Sequence, residues 1–169
     1  MSVCITNDGG IPIPLSESEV MAICDHVLAY AEVERACNVS VSIVDADEIR
    51  GLNSQWRSID APTDVLSFEC DSPWDEDIPA EEPCELGDVI LCPQVIAEQA
   101  PEFGSTPLEE FRLMLVHGLL HLLGFDHIEP DDAAEMEAAE LEVLQDLARQ
   151  RGEDPALVRI GPTTSHIDD

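Results

Sequence analysis

Hydrophobic and polar residues alternate with a period of two through residues 38–44, where Val39, Val41 and Ile43 share one face. Such alternation is typical of a half-buried β-strand. Three further short runs are rich in β-branched or apolar residues and are also predicted as strands: residues 2–6, 65–70 and 86–92. The pattern therefore predicts about four strands, enough for one sheet.

The period changes to 3.6 residues between these strands, which predicts amphipathic helices. The first helix begins at Ser16, which forms an S-x-x-E capping box with Glu19. Asp45 begins the second helix, which we expect to end near Gln55, with residues 56–60 in the following loop. Two more helices are predicted at residues 93–100 and 131–149. This order predicts an α/β (α+β) fold, in which helices pack on a single mixed sheet.

One further predicted helix is apolar on nearly all sides. It begins at Thr106, which forms a capping box with Glu109, and it runs to Leu123. Gly124 then ends it, because glycine adopts the left-handed conformation of a helix end without strain. A helix without a polar face has to be buried, so we expect this one to be the central helix of the fold.

Two histidines lie on this buried helix, and a third follows its end, in the motif His117-Gly-Leu-Leu-His121-Leu-Leu-Gly-Phe-Asp-His127. His117 and His121 are one helical turn apart, so both imidazoles project from the same face. The turn at Gly124 allows His127 to supply a third ligand. Three imidazoles with a fourth position left to water are typical of a catalytic zinc site, and we predict one zinc ion (Zn²⁺) per chain.

The same spacing occurs in the H-E-x-x-H-x-x-G-x-x-H motif of the metzincin proteases, which makes the predicted metal site zincin-like. In those proteases the glutamate is the general base. Gly118 occupies the corresponding position in this chain, and a glycine cannot accept a proton. A metalloprotease is therefore retained only as an alternative that lacks its base.

The charge balance is strongly acidic: 37 aspartates and glutamates face seven arginines, for a net charge of −30. Such a charge repels polyanions. A second hypothesis is that the acidic surface reflects adaptation to salty surroundings. Nine acids fall within residues 69–88, where we expect a solvated surface loop.

No apolar run approaches the roughly 18–20 residues of a membrane-spanning helix, and no secretory leader is visible, so we expect no membrane partner and a cytoplasmic location.

The histidine motif closely resembles that of the YbeY family, bacterial endoribonucleases that mature ribosomal RNA. Further matches to this family lie on both sides of the motif: Leu52-Asn53, Trp56-Arg57, the P-T-D-V-L-S-F run at residues 62–68, L-G-D-V at residues 86–89, and Met136 with Glu140. The resemblance covers about residues 43–144. Glu69 departs from it, since family members commonly carry proline there.

The resemblance implies a zinc ion on His117, His121 and His127. It also implies hydrolysis of single-stranded RNA in maturation of the 16S rRNA 3′ end and in late 70S ribosome quality control, with the ribosome or ribosomal proteins as partners. Zinc lowers the pKa of its bound water to about 7, so a zinc-bound water is the expected nucleophile. The resemblance further implies a catalytic role for Arg57, whose guanidinium is suited to stabilise the charge on phosphoryl oxygens.

Three carboxylates are candidates to accept the second N–H of a ligand imidazole: Asp126, Asp64 and Glu140. The residues alone do not choose among them, although Glu140 lies on the core-facing side of its helix, where an unpaired carboxylate is costly.

We expect residues 1–160 to form a single metal-dependent hydrolase domain and residues 161–169 a flexible tail. The alternatives to a nuclease are the metalloprotease and a non-catalytic, ribosome-associated metal-binding protein.

Overall fold

The computed structural model describes residues 2–161, in which four strands form one sheet. The strands are β1 (Ser2–Thr6), β2 (Cys37–Ile43), β3 (Val65–Glu69) and β4 (Cys84–Leu91). Their order is β1-β2-β4-β3; β1, β2 and β4 are parallel, and β3 is antiparallel to β4. The sheet is therefore mixed, as predicted, and β3 lies at one edge.

Five α-helices accompany the sheet: α1 (Glu17–Tyr30), α2 (Ala46–Arg57), α3 (Pro93–Gln99), α4 (Pro107–Leu122) and α5 (Pro130–Gln150). The predicted N-caps form at Ser16, Asp45 and Thr106. Each of these side chains accepts a hydrogen bond from the backbone N–H three residues later, which satisfies one donor of the first helical turn. Gly124 has a φ of +96°, as predicted for the end of α4.

The larger apolar cluster covers one face of the sheet, and α4 lies at its centre. This helix is buried along most of its length and packs against β3 and β4 on one side and α5 on the other. A smaller cluster covers the opposite face, to which α2 contributes Ile49 and β3 contributes Leu66. The predicted α/β class and the buried central helix are confirmed.

The second helix is longer than predicted, because α2 ends at Arg57 and not near Gln55. Helix α2 contains Gly51 but no proline, and Ser58 closes the last turn in a left-handed conformation, with its N–H donating to the carbonyl of Asn53. The Asn53 amide in turn donates to the carbonyl of Ala61 at 3.0 Å. Arg57 therefore lies in the last helical turn, and the prediction that placed it in a loop is wrong.

The acidic segment at residues 69–88 is only partly a loop. Its two ends belong to β3 and β4, so the predicted extent of the loop was too long. The turns between them are held by Arg35, whose guanidinium donates to three backbone carbonyls: those of Asp75, Pro79 and Glu82, at 3.3, 2.8 and 2.9 Å. A single arginine just before β2 thus organises a segment that composition alone describes only as solvated.

All six cysteines are free thiols. Burial raises the pKa of Cys24 to about 12, so this thiol remains protonated at neutral pH. None of the described helices is long and apolar enough to cross a membrane. Of the predicted tail, residues 162–169 lie outside the described residues.

Candidate metal centre and its groove

The three motif histidines meet at one point. His117 and His121 lie one turn apart on α4, and His127 lies in the segment between α4 and α5. One nitrogen from each of the three rings lies within 4.8 Å of the corresponding nitrogens of the other two. The ring centroids are 4.6 Å apart for His117 and His121, and 5.2 Å apart for His121 and His127. The three imidazoles can therefore hold one metal ion together.

The chemistry of these donors fits a metal ion. Neutral imidazole nitrogens are common ligands of zinc and of related divalent ions. The Nδ1 atom of His117 is in hydrogen-bond contact with Glu140, so its Nε2 atom is the nitrogen left to bind a metal ion. The Nε2 atom of His127 is buried and has no hydrogen-bond partner among the described residues. A buried polar atom in that state is costly unless another group binds it, and a metal ion meets that requirement.

Gly118 allows α4 to approach the sheet closely. A Cβ atom at this position would lie 2.7 Å from Val89 Cγ1 and 3.3 Å from Val65 Cγ2. The Gly118 carbonyl also accepts a hydrogen bond from the Ser67 hydroxyl at 3.1 Å. The position of the protease glutamate therefore faces the sheet in this chain and has no room for a side chain. Sequence reasoning identified Gly118 as a missing base but did not foresee its role in packing.

The turn that carries His127 is held by Asp126. The Asp126 carboxylate accepts hydrogen bonds from the backbone N–H groups of His127, at 2.6 Å, and Ile128, at 3.1 Å. Gly124, with its positive φ, lets the chain reverse just before this turn. Asp126 thus fixes the backbone that presents the third histidine.

Glu140 is the carboxylate that contacts a ligand imidazole. Its Oε2 atom lies 2.8 Å from His117 Nδ1, and both side chains are fully buried. A hydrogen bond donated by the ring N–H to a carboxylate fixes the tautomer and the orientation of the imidazole. This contact supplies the partner expected for Glu140 in the core.

Asp64 lies in a different buried polar cluster. It accepts hydrogen bonds from the Gln99 side chain at 2.8 Å and from the Val65 backbone N–H at 2.7 Å. Gln99 also donates to Glu110 at 3.4 Å, and Glu110 precedes His117 on α4 by about 10 Å of helix. These bonds connect the start of β3 to α3 and to the beginning of α4.

A groove of about 350 Å³ opens beside the histidines, and we call it the histidine groove. Its lining includes polar and apolar side chains: Arg57, Ser67, Glu69, His121, Phe125 and Ile128. His121 therefore faces open space on the same side as Arg57. Phe125 and Ile128 were not predicted as groove residues, and their only sequence signal is their proximity to His127.

Arg57 reaches this groove from the opposite face of the sheet. The Asp64 carbonyl accepts a hydrogen bond at 2.9 Å from the N–H of Cys92, the residue directly after β4. Because the directions of backbone groups alternate along an antiparallel strand, the Ser67 carbonyl points away from β4, toward the edge of the sheet. Arg57 Nη2 donates to this carbonyl at 2.9 Å, and its Cζ lies 5.6 Å from the centroid of the Phe68 ring. These two contacts fix the guanidinium at the edge of β3.

Two histidines on a buried helix and a third in the following turn could hold a metal ion, and an arginine lines the same groove as one of them. The family model described as Endoribonuclease YbeY matches residues 6–148. The chain belongs to the YbeY family of endoribonucleases. The family resemblance and the enzyme class, a nuclease hydrolase acting on RNA, are thereby confirmed.

Individual relatives agree with the family model. The Endoribonuclease YbeY of Mycolicibacterium gilvum is 38% identical over 160 residues, which cover 90% of this chain and 86% of that protein. The Endoribonuclease YbeY of Salinispora tropica is 39% identical over 150 residues, which cover 85% and 94% of the two chains. The solution structure of TM1509 from Thermotoga maritima superposes with a TM-score of 0.58 at 28% identity, over 89% of this chain and 91% of that one.

Proposed function

We propose that this protein is a single-strand-specific, zinc-dependent endoribonuclease. Its proposed role is in maturation of the 16S rRNA 3′ end and in late 70S ribosome quality control, with the ribosome or ribosomal proteins as partners in the cytoplasm. The observation that carries the proposal is the cluster of His117, His121 and His127, of which His121 lines one groove together with Arg57. Metal ligands and a phosphate-binding group are the two components that metal-assisted phosphodiester hydrolysis requires.

The three histidines would hold one zinc ion, which when bound supplies Lewis-acid chemistry and lowers the pKa of water. Glu140 positions His117 through the Nδ1 contact of 2.8 Å, so that Nε2 keeps its direction toward the metal. Asp126 positions His127 through the backbone bond of 2.6 Å. Asp64 belongs to the cluster around Gln99, so the proposal for an outer partner of the ligands rests on Glu140.

Arg57 is proposed to bind the scissile phosphate and to stabilise the charge that grows on its oxygens during hydrolysis. A guanidinium has five N–H donors, and the bond to the Ser67 carbonyl uses one of them. The contact with the Phe68 ring holds its plane at the groove, so little reorganisation is needed when substrate binds. Arg57 therefore acts as a fixed donor opposite the metal ligands.

Two features argue against a peptidase. Position 118 has no room for the general base of the metzincin motif, because a Cβ there would lie 2.7 Å from Val89. An extended peptide commonly binds by adding to the edge strand of a sheet. Arg57 already occupies the outward-facing carbonyl of Ser67 on that edge. Both features are compatible with a substrate whose backbone carries phosphates.

The experiment that tests the proposal combines metal analysis with RNA cleavage. Purified wild-type protein is expected to contain one zinc ion per chain and to cut single-stranded RNA, but not a duplex, in a reaction that a chelator abolishes. His121→Ala removes one ligand and is expected to lose both the metal and the activity. His26→Ala, an equal substitution on α1 outside the site, is expected to lose neither.

Cleavage that resists the chelator, or no cleavage by metal-loaded wild type, would contradict the proposal. Release of peptides from casein by the same preparation would favour the metalloprotease. Ribosome binding by a wild-type protein that contains metal but cuts no RNA would favour the non-catalytic alternative.

A further inference from the structure

Trp56 is a large exposed aromatic residue next to Arg57, a residue that lines the histidine groove. It lies in the last turn of α2, directly before Arg57, and its side chain is 61% exposed. Its indole packs edge-on against Phe68, with ring centroids 6.2 Å apart and an interplanar angle of 66°. This edge contact fixes the ring while most of its surface stays in solvent.

The same Phe68 ring connects Trp56 to the groove. Arg57 stands over this ring with its Cζ atom 5.6 Å from the centroid, and Arg57 also lines the groove beside His121. Phe68 thus holds an exposed indole and a groove-facing guanidinium next to each other. This juxtaposition of aromatic surface and positive charge is the arrangement that proteins use to bind single-stranded nucleic acids, by base stacking next to a backbone contact.

We infer that Trp56 forms a base-stacking subsite, on which a base of the single-stranded substrate lies while a neighbouring phosphate contacts Arg57. The inference rests on the proposed function, since it assumes an RNA substrate in the histidine groove. It assigns Trp56 a role in substrate binding and not in the chemical step. The subsite also explains a preference for single strands, because the bases of a duplex are already stacked on each other.

The charge balance of the chain makes such a subsite useful. The net charge is −30, and the chain has seven arginines and no lysine. Four of those arginines are engaged in ion pairs away from the groove: Arg50–Asp60, Arg112–Glu19, Arg149–Asp146 and Arg151–Glu153. Attraction between charges therefore contributes little to RNA binding. Stacking does not depend on net charge and is not screened by salt, so it supplies affinity that the charge does not.

The two tryptophans of the chain allow a direct test by fluorescence. Trp74→Phe leaves Trp56 as the only indole, and Trp56→Phe leaves Trp74, which is comparably exposed at 52%. Each metal-loaded variant is mixed with a short single-stranded oligoadenylate in a stopped-flow instrument and recorded before turnover. The control probe is an abasic oligonucleotide of the same length and charge, which offers phosphates without bases.

Oligoadenylate is expected to quench the fluorescence of the Trp74→Phe protein, and the abasic probe is not. The Trp56→Phe protein is expected to respond to neither. Trp56→Ala should weaken oligoadenylate binding by about 5- to 150-fold, the equivalent of one stacked base, and leave abasic binding unchanged. Its zinc content should equal that of wild type, because Trp56 is exposed and contacts no histidine of the cluster.

The inference is overturned if the fluorescence of Trp56 changes with neither probe. It is also overturned if Trp56→Ala loses the same factor of affinity for oligoadenylate and for the abasic probe. In either case, RNA cleavage by the wild type would show that only the stacking subsite is wrong and that the endoribonuclease proposal stands. If the metal-loaded wild type neither binds nor cuts RNA, the proposed function fails, and the subsite fails with it. If Trp56 instead contacts a protein partner, its fluorescence should respond to neither probe, and the inference is overturned.

Discussion

The two sides of the histidine groove differ in burial and in how the chain assembles them. On one side, His117 and Glu140 are fully buried between α4 and α5, and their side chains contact each other at 2.8 Å. On the other side, Arg57 and Trp56 lie on the surface at the end of α2, across the edge of the sheet. The metal side therefore depends on the packing of the core, whereas the arginine side depends on contacts with one edge strand.

This difference suggests that the two sides can be damaged separately. A change on the arginine side should impair substrate binding or turnover without affecting metal content or the free energy of unfolding. A change on the metal side should affect metal affinity, folding or both. The following predictions test this separation, from the largest expected effect to the smallest.

Arg57→Ala is expected to lower kcat/KM for single-stranded RNA by about 100- to 1,000-fold, the usual effect of removing one fixed donor to a developing anion. Zinc content and the midpoint of urea unfolding should stay at their wild-type values. Arg50→Ala is the matched control, because Arg50 lies on the same helix but pairs with exposed Asp60. A loss of bound zinc in Arg57→Ala would show that the two sides are not separable.

Gly118→Ala is expected to lower the free energy of unfolding by about 1–3 kcal/mol, the typical cost of overpacking a core. Its new Cβ would lie 2.7 Å from Val89 Cγ1, so α4 would have to shift away from the sheet. The control is Gly51→Ala on α2, where no neighbouring atom lies within 4 Å and the higher helix propensity of alanine stabilises. Equal unfolding midpoints for the two variants in urea would contradict the close packing of α4.

Glu140→Gln is expected to weaken zinc binding by about 10- to 100-fold, because an amide holds the His117 Nδ1–H less strongly than a carboxylate does. The measurement is competition with a chelator of known affinity. Glu142→Gln on the same helix is the control, since Glu142 contacts the exposed Tyr30 hydroxyl and no ligand. Unchanged zinc affinity in Glu140→Gln would remove the positioning role proposed for Glu140.

Added salt should have the smallest effect, and it should differ between the two sides. Screening reduces the self-repulsion of a chain with a net charge of −30, so we expect the melting temperature to rise with salt. Zinc content should not change, because His117 is buried and His121 and His127 are partly buried, whereas the KM for RNA should rise modestly as the Arg57–phosphate attraction is screened. A melting temperature that does not rise with salt would contradict the adaptation to salt that the composition suggests.

Much of the metal side could be predicted from the sequence because its signals are local. The i, i+4 spacing of His117 and His121 places both rings on one helical face, and Gly124 permits the reversal that returns His127. The buried character of α4 followed from its lack of a polar face. Glu140 could be placed on the core-facing side of its helix, yet spacing alone does not say which buried group a carboxylate meets.

The arginine side could not be predicted in the same way. The motif match singled out Arg57, but the end of α2 was misplaced by two residues, since the signal that closes it is the left-handed turn at Ser58. That Arg57 covers the Ser67 carbonyl depends on β3 being an edge strand, which is a property of strand order. Strand order depends on contacts between residues that are distant in the chain.

Local periodicity and residue chemistry were thus sufficient to predict the presence of the helices and strands and the three candidate metal ligands of this endoribonuclease-family protein. Helix geometry relates neighbours in the chain by fixed rotations and rises, so spacing translates directly into a shared face. The contact of Gly118 with Val89, the bond from Glu140 to His117 and the position of Arg57 beside His121 required the folded structure. Each of them joins segments whose distance is set by how helices pack on the sheet, and no spacing along one segment encodes that distance.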